Sequence, residues 1–208
     1  DMEGGVKNEA DLVTRYRTMS LVPECDAVIE DIVNESISSN DLDAPVSINL
    51  DRVNHFSDST KEKIRENFDE VLELLGFREL SHDIYRKWYV DGRLYYHKMV
   101  DTKNTKVGIQ GLRPIDPQKI RKIREVDKKK DEKTGVEVIK KTDEYYIFND
   151  QGFDKSGNNT GQTVKINSDA ITHVTSGLLD YNQKVVVGYL HKAMKSVNQL
   201  RMLEDALV

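Results

Sequence analysis

Five histidines, His55, His82, His97, His173 and His191, are the side chains from which metal or acid–base chemistry would have to be built. Their spacing does not suit it. There is no His-Glu-x-x-His run, and the single cysteine, Cys25, cannot supply a thiolate cluster. Asp169 and His173 stand four apart, which in a strand puts both on one face. No Gly-x-Ser-x-Gly turn brings a serine nucleophile to them. The glycine-rich run GNNTGQT lacks the Gly-Lys-Ser/Thr ending of a phosphate-cradling loop, and Asp154, Asn158 and Asn159 miss the register of a calcium loop. The expectation is no catalytic set, no metal and no cofactor.

The basic run is the one polar feature with functional ambiguity. Lys128, Lys129, Lys130 and Lys133 could meet phosphates or a neighbouring subunit, and Tyr145, Tyr146 and Phe148 follow on the returning segment. Asp127, Asp131 and Glu132 are interleaved with these lysines. Phosphate binding gains affinity by releasing counterions in proportion to the charge neutralised, so the intermixed acids weaken it. A solvated hairpin tip is the favoured reading, with a subunit or DNA contact as the alternative.

The elements that would carry these residues can be read in order. Asn8 can cap a short helix lined by Leu12, Tyr16 and Met19. Pro23 suits the first turn of a second helix, with Cys25, Val28, Ile29, Ile32, Val33 and Ile37 on its stripe. Val46, Ile48 and Leu50 alternate as a short strand would. Ser59 and Glu62 have capping-box spacing for a third helix, with Ile64, Phe68, Leu72 and Leu75 as its stripe and Gly76 as its stop. Ser81 is placed as the cap of a further short helix carrying Ile84, Tyr85 and Trp88. Asp91-Gly92 then turns the chain into the strand RLYYHKMV; a hairpin at that dipeptide is the competing reading.

From Val107 the pattern is β. Leu112, Pro114 and Ile115 read as an edge segment, because proline cannot donate to a ladder. Residues 120–148 read as a long charged hairpin, followed by a polar loop and strands at Val164–Ile166 and Ala170–Thr175. Val185 to Val208 reads as one long amphipathic helix through Leu190, Ala193, Val197, Leu200 and Leu207. Gly188 at its start lets another segment approach closely. The class is α+β: N-terminal helices, a mixed or antiparallel β-region with a long charged hairpin, and a long C-terminal helix.

One domain is expected over 1–208, with a mainly helical part at 8–101 containing two short strands. A β-rich part at 107–176 and the last helix at 185–208 complete it. The 38% hydrophobic content against 32% charged is lean for a self-sufficient globule. No apolar run approaches the roughly 18 residues of a membrane span, and no leader pattern opens the chain, so it reads as soluble and intracellular. The net charge of −5 hides an asymmetry. Residues 1–80 hold 19 Asp and Glu against 8 Lys and Arg, a balance of −11, whereas 119–141 hold 10 Lys and Arg against 5 acids, a balance of +5. An acidic front and a basic middle can steer partners or neighbouring subunits.

Four stretches together, RYRTMSLVPECDAVIEDIVNESI, YRKWYVDGRLYYHKMVD, LRPIDPQKIRKIRE and VVVGYLHKAMKSVNQLRMLEDALV, resemble the portal (portal vertex) proteins of T-even-type tailed phages. The order of elements matches too, down to the strand carrying Ile171 and His173 and the helix start at Gly188 and Leu190. The likeness runs from about Ala10 to Val208 and lapses at 127–136 and 151–162, so it says little about Lys128 to Lys130.

The resemblance implies a structural part: the wing region of a subunit whose last helix leads toward a stem, with the sequence an internal piece of a longer protein. It implies a twelve-subunit ring at one capsid vertex that nucleates head assembly and conducts double-stranded DNA during packaging and ejection. Implied partners are other copies of the subunit, the major capsid and scaffold proteins, the large terminase subunit, the neck proteins and the passing DNA. The implied location is the virion, with assembly in the host cytoplasm or at the inner face of the host membrane. A nucleic-acid-binding module using 119–141 is the second reading.

Overall fold

The computed structural model describes residues 9–37, 45–130, 137–153, 162–181 and 185–207, with backbone alone for 127–130 and 137–141. Four helices come first: α1 (Glu9–Met19), α2 (Pro23–Ser36), α3 (Asp58–Leu75) and α4 (Phe77–Asp91). Six strands follow: β1 (Arg93–Val100), β2 (Ile109–Ile115), β3 (Ile120–Lys130), β4 (Glu137–Asn149), β5 (Thr163–Asn167) and β6 (Ile171–Thr175). A 3₁₀ turn at Tyr189–Ala193 then leads into α5 (Met194–Leu207). The class is α+β with two antiparallel three-stranded sheets, ordered β2-β1-β6 and β3-β4-β5. Among the described residues no helix is long and apolar enough to cross a membrane.

Pro23 opens α2 at the position where its missing N–H has no helical partner to lose. Gly76 ends α3 in the left-handed conformation at φ 59°. The chain then re-enters a helix at once, so α4 starts at Phe77 and Ser81 is buried inside it rather than capping it. The cap of α3 also differs from the expected Ser59: Ser57 Oγ accepts the Thr60 N–H, and α3 begins at Asp58. The helix at α4 persists to Asp91, so Asp91-Gly92 closes a helix instead of turning a hairpin. Asn8 lies outside the described residues.

Residues 46–50 form no strand. Alternation gave them the right pattern, but among the described residues they pair with no strand, and of the five Leu50 alone is buried. The expected single helix from Val185 is likewise divided: Val186 bridges to Leu179, Tyr189–Ala193 is 3₁₀, and the α-helix begins at Met194. Pro114 sits on β2, an edge strand, as its lack of an N–H requires. The long hairpin is present as β3 and β4, with a register shift between Asp127 and Lys128.

One core lies among the helices: Leu12, Tyr16 and Met19 of α1, Ile29 and Val33 of α2, Val90 of α4, and Val187 and Leu190 before α5. Cys25 packs at its margin as a small apolar residue. A second, smaller core joins the two sheets through Tyr95 and Ile171 from one and Ile120 and Tyr146 from the other. Two glycines set how closely the chain can fold back. A Cβ on Gly92 (φ 71°) would lie 2.6 Å from Gly188 Cα, and one on Gly188 would lie 3.1 Å from the Tyr16 ring.

Candidate functional site

The hairpin carries the residues with the clearest possible contact role. Lys128, Lys129 and Lys130 end β3, their backbones paired with Ile139, Val138 and Glu137. Their side chains, and Lys133 altogether, lie outside the described residues. The nearer part of the arm is described, and its cations are engaged within the sheet. Lys122 Nζ is 2.7 Å from Glu144, Arg124 Nε is 3.7 Å from the same carboxylate, and Lys165 Nζ lies 3.7 Å from the Tyr145 ring centroid. The Tyr145 hydroxyl donates to Glu125 at 2.7 Å, and Arg121 stacks over Phe153. The hydrogen bond from Lys122 holds the Glu144 carboxyl below its ordinary range. Pairs this exposed contribute little stability, but they leave less positive charge free for phosphate.

A second surface is α5. None of its residues is buried, and Leu200, Leu203 and Leu207 recur at spacings of three and four with exposures of 39%, 64% and 88%. That spacing makes one apolar seam along the helix. Met194 and Val197, nearer the start, pack against the helical core instead. Leu21, in the turn before α2, is also exposed, and an open groove of about 490 Å³ runs between that turn and Arg201 and Glu204 of α5.

What fixes these surfaces to the body is a set of ionic clamps that sequence reading missed. Arg17 of α1 forks onto Asp91 at the end of α4, with Nε–Oδ1 2.9 Å and Nη2–Oδ2 2.7 Å. The same guanidinium reaches both oxygens of Asp116, between β2 and β3, at 3.1 and 3.2 Å. Burial pushes the Asp91 carboxyl up while the two bonds from Arg17 pull it back. Asp116 also loses solvent, yet its bonds from Arg17 and the Gln118 N–H hold it below the usual carboxylate range. The bonds to Asp91 hold the Arg17 guanidinium firmly protonated. Arg93, 1% exposed, pairs with Glu9 at 2.6 Å and donates to the Val186 carbonyl. The one visible signal for these clamps was Asp91 directly before Gly92, which read locally as a turn former.

His173 and His191 are taken up by packing, whereas His55 and His82 are exposed. His173 stacks on its cross-strand partner Tyr95 at 4.2 Å, with Tyr146 edge-on to both rings. Burial, then the positive charges of Arg93 and Lys122, push it down to about 4. Asp169 sits in a 3₁₀ turn before β6, so the two do not share a strand face. His191 Nδ1 is 2.9 Å from the Tyr16 hydroxyl. Among the described residues no group of three His, Cys, Asp or Glu is placed to hold a metal ion. The region 154–161, including Asp154, Asn158 and Asn159, is outside them.

Residues 9–208 match the family described as bacteriophage T4-like portal protein (Gp20). A portal protein of Vibrio phage KVP40 is 40% identical over 205 residues, covering 95% of this chain and 39% of that protein. A portal protein of Salmonella phage ViI is 34% identical over 207 residues, covering 95% of this chain and 37% of that one. The chain therefore spans about two fifths of the length of either relative. A match from the first described helix through the end of α5 takes in every element that builds the clamps and both candidate surfaces. The chain belongs to the bacteriophage T4-like portal protein family.

Proposed function

We propose that the chain is the wing region of a structural portal subunit, acting through contacts with other copies in a ring at one capsid vertex. Family membership over residues 9–208 supports the portal role, and the unpartnered Leu200–Leu203–Leu207 seam is the observation that carries the reading of subunit contact. In such a ring the interface is heterologous, one patch of a subunit meeting a different patch of its neighbour. The acidic helical front and the basic hairpin end are a second complementary pair. The ring would serve as the conduit for double-stranded DNA in packaging and ejection. It would nucleate head assembly, and dock the terminase and later the neck proteins. The place of action is the capsid vertex of the virion, after assembly in the host cytoplasm.

Negative-stain microscopy of the intact protein tests this. Closed rings with an open channel are expected, and replacing Leu200, Leu203 and Leu207 together by Ser should abolish them while the subunit stays folded. Rings that persist in that variant would remove α5 from the interface, and a monodisperse monomer under every salt condition would remove the ring reading. Charge reversal of Lys128, Lys129 and Lys130 to Glu should impair assembly at low salt. The nucleic-acid reading makes the opposite demand: binding of duplex DNA at low salt with a steep fall as salt rises.

A further inference from the structure

Helix α3 is laid on the body without being absorbed by it. Its stripe leans on α4 and β2, yet none of the 18 residues of α3 is buried and none belongs to either core. Ile64 and Phe68 stay half-buried, and Val71 is 39% exposed. A helix in a folded protein is held mainly by the apolar face it buries, so a stripe left half-wet along a long helix has room for a further surface.

The seam of α5 matches that stripe in spacing. From Ile64 to Phe68 to Val71 the steps are four and three; from Leu207 back through Leu203 to Leu200 they are four and three again. Both runs span about 10 Å at roughly 1.5 Å per residue. An antiparallel pairing therefore seats Ile64 against Leu207, Phe68 against Leu203 and Val71 against Leu200. A parallel pairing has a register of its own, Phe68, Val71 and Leu75 against Leu200, Leu203 and Leu207, so apolar spacing leaves two arrangements.

Charge decides between them. Antiparallel, Arg201 comes beside Glu70, Lys195 lies within a turn of Glu73, and Glu204 and Asp205 flank Arg65. Parallel, Arg201 keeps an acid in Asp69, but Lys195 meets Lys63 and Asp205 meets Glu73, and like charges brought together oppose docking. Glu70, Glu73, Lys195, Arg201, Glu204 and Asp205 are all exposed and make no ion pair among the described residues. Arg65 makes a surface pair with Glu62 on its own helix at 3.2 Å, of a kind that contributes little and leaves the guanidinium available.

We propose that α5 of one copy docks antiparallel along α3 of the next, its leucine seam on the half-covered α3 stripe and its charges opposite those of α3. The pairing rests on the reading of α5 as a subunit contact and names the surface that receives it. Two different helices meet, so the contact is heterologous and passes from copy to copy around a ring.

Paired charge reversals in the intact protein test this, read by sedimentation velocity over a range of concentrations, with circular dichroism to verify each fold. All four positions are exposed, so the subunit should stay folded. Glu70→Lys with Glu73→Lys should raise the concentration needed for half-assembly roughly ten-fold or more, and Lys195→Glu with Arg201→Glu should do the same. An equimolar mixture of the two variants should assemble again. Alternating around the ring, each unaltered α5 then meets an unaltered α3 and each reversed α5 a reversed α3. A chain carrying both reversals should recover as well. Assembly of either single variant at the unmodified concentration overturns the pairing. Recovery in the doubly reversed chain but not in the mixture also overturns it, because the contact then lies within one subunit. So does failure of both to recover, because the two charge sets then do not face each other. An unmodified protein that stays monomeric at every concentration removes the ring reading and the pairing together, whereas loss of the pairing in a protein that assembles leaves the ring reading standing.

Discussion

Replacing Gly92 by Ala is the most direct test of the close crossing that organises the helical core. Two separate effects act at this position. The backbone stands at φ 71°, where an L-residue costs about 1–2 kcal/mol, part of it returned by the lower entropy of the unfolded chain, about 0.4–1 kcal/mol. The added Cβ would also lie 2.6 Å from Gly188 Cα and 2.8 Å from its nitrogen. Both are backbone atoms that no rotamer change can move, so the crossing must open, at about 1–3 kcal/mol for a forced overpacking. Gly177 supplies the control: its φ is 76°, and a Cβ there meets nothing within 4 Å. Gly177→Ala should therefore cost about 1 kcal/mol or less, and Gly92→Ala about 2–4 kcal/mol. Gly188→Ala separates the terms from the other side. Its φ of −81° is ordinary, and its Cβ would lie 3.0 Å from the Val90 carbonyl and 3.1 Å from the buried Tyr16 ring. It should fall between the other two. Urea unfolding followed by circular dichroism measures all three. Equal stabilities for Gly92→Ala and Gly177→Ala, within about 0.5 kcal/mol, would show that the crossing is not tight and refute the reasoning.

Three further perturbations follow from the same geometry. His173 is pushed down to about 4 from an ordinary 6.5, so the folded state binds its proton less readily than the unfolded one. Its contribution is complete above pH 6.5 and is lost as pH falls toward 4; relative to His173→Gln, the unmodified protein should lose about 2 kcal/mol between pH 7 and pH 4.5, measured by urea unfolding. Arg17→Met should cost about 3 kcal/mol by leaving Asp91 buried without its partner, and adding Asp91→Asn should return part of that loss in a double-mutant cycle; simple additivity would show that the pair does not couple. Ser57→Ala should cost about 1 kcal/mol as the loss of a helix cap, whereas Ser59→Ala should be close to neutral; thermal unfolding of the two variants decides which serine caps α3.

The helices and the hairpin were legible because their signals are local. Periodicity placed Leu12, Tyr16 and Met19 inward together, Pro23 and Gly76 marked ends they do mark, and the alternation of 120–148 found both arms of the hairpin. Signals that depend on a distant partner were misread. Val46, Ile48 and Leu50 alternate but pair with no strand among the described residues, and Ser81, an acceptable cap by type, is enclosed once Gly76 lets the chain re-enter a helix immediately. The clamp on Arg17 joins residues 74 and 99 positions away, and no spacing rule reaches that far. Gly188 was a partial success: the need for close approach was readable, but that the approaching groups are Gly92 and Tyr16 was not.

The placement of these interactions separates stability from association. Arg17, Asp91, Asp116, Arg93 and the Gly92–Gly188 crossing all lie where helices, sheets and the lead into α5 meet, and they fix three directions at one junction. The seam of α5 adds nothing to either core. Exposed apolar side chains at helical spacing cost a lone subunit solubility and give it no stability in return. A seam of this kind is useful when a second surface covers it, and a rigid junction behind it means that surface can be met without reordering the body. Substitutions at the junction should then lower the stability of each subunit. Those on the seam or hairpin should change assembly at unchanged subunit stability, and a variant set showing the reverse division would contradict this separation of roles.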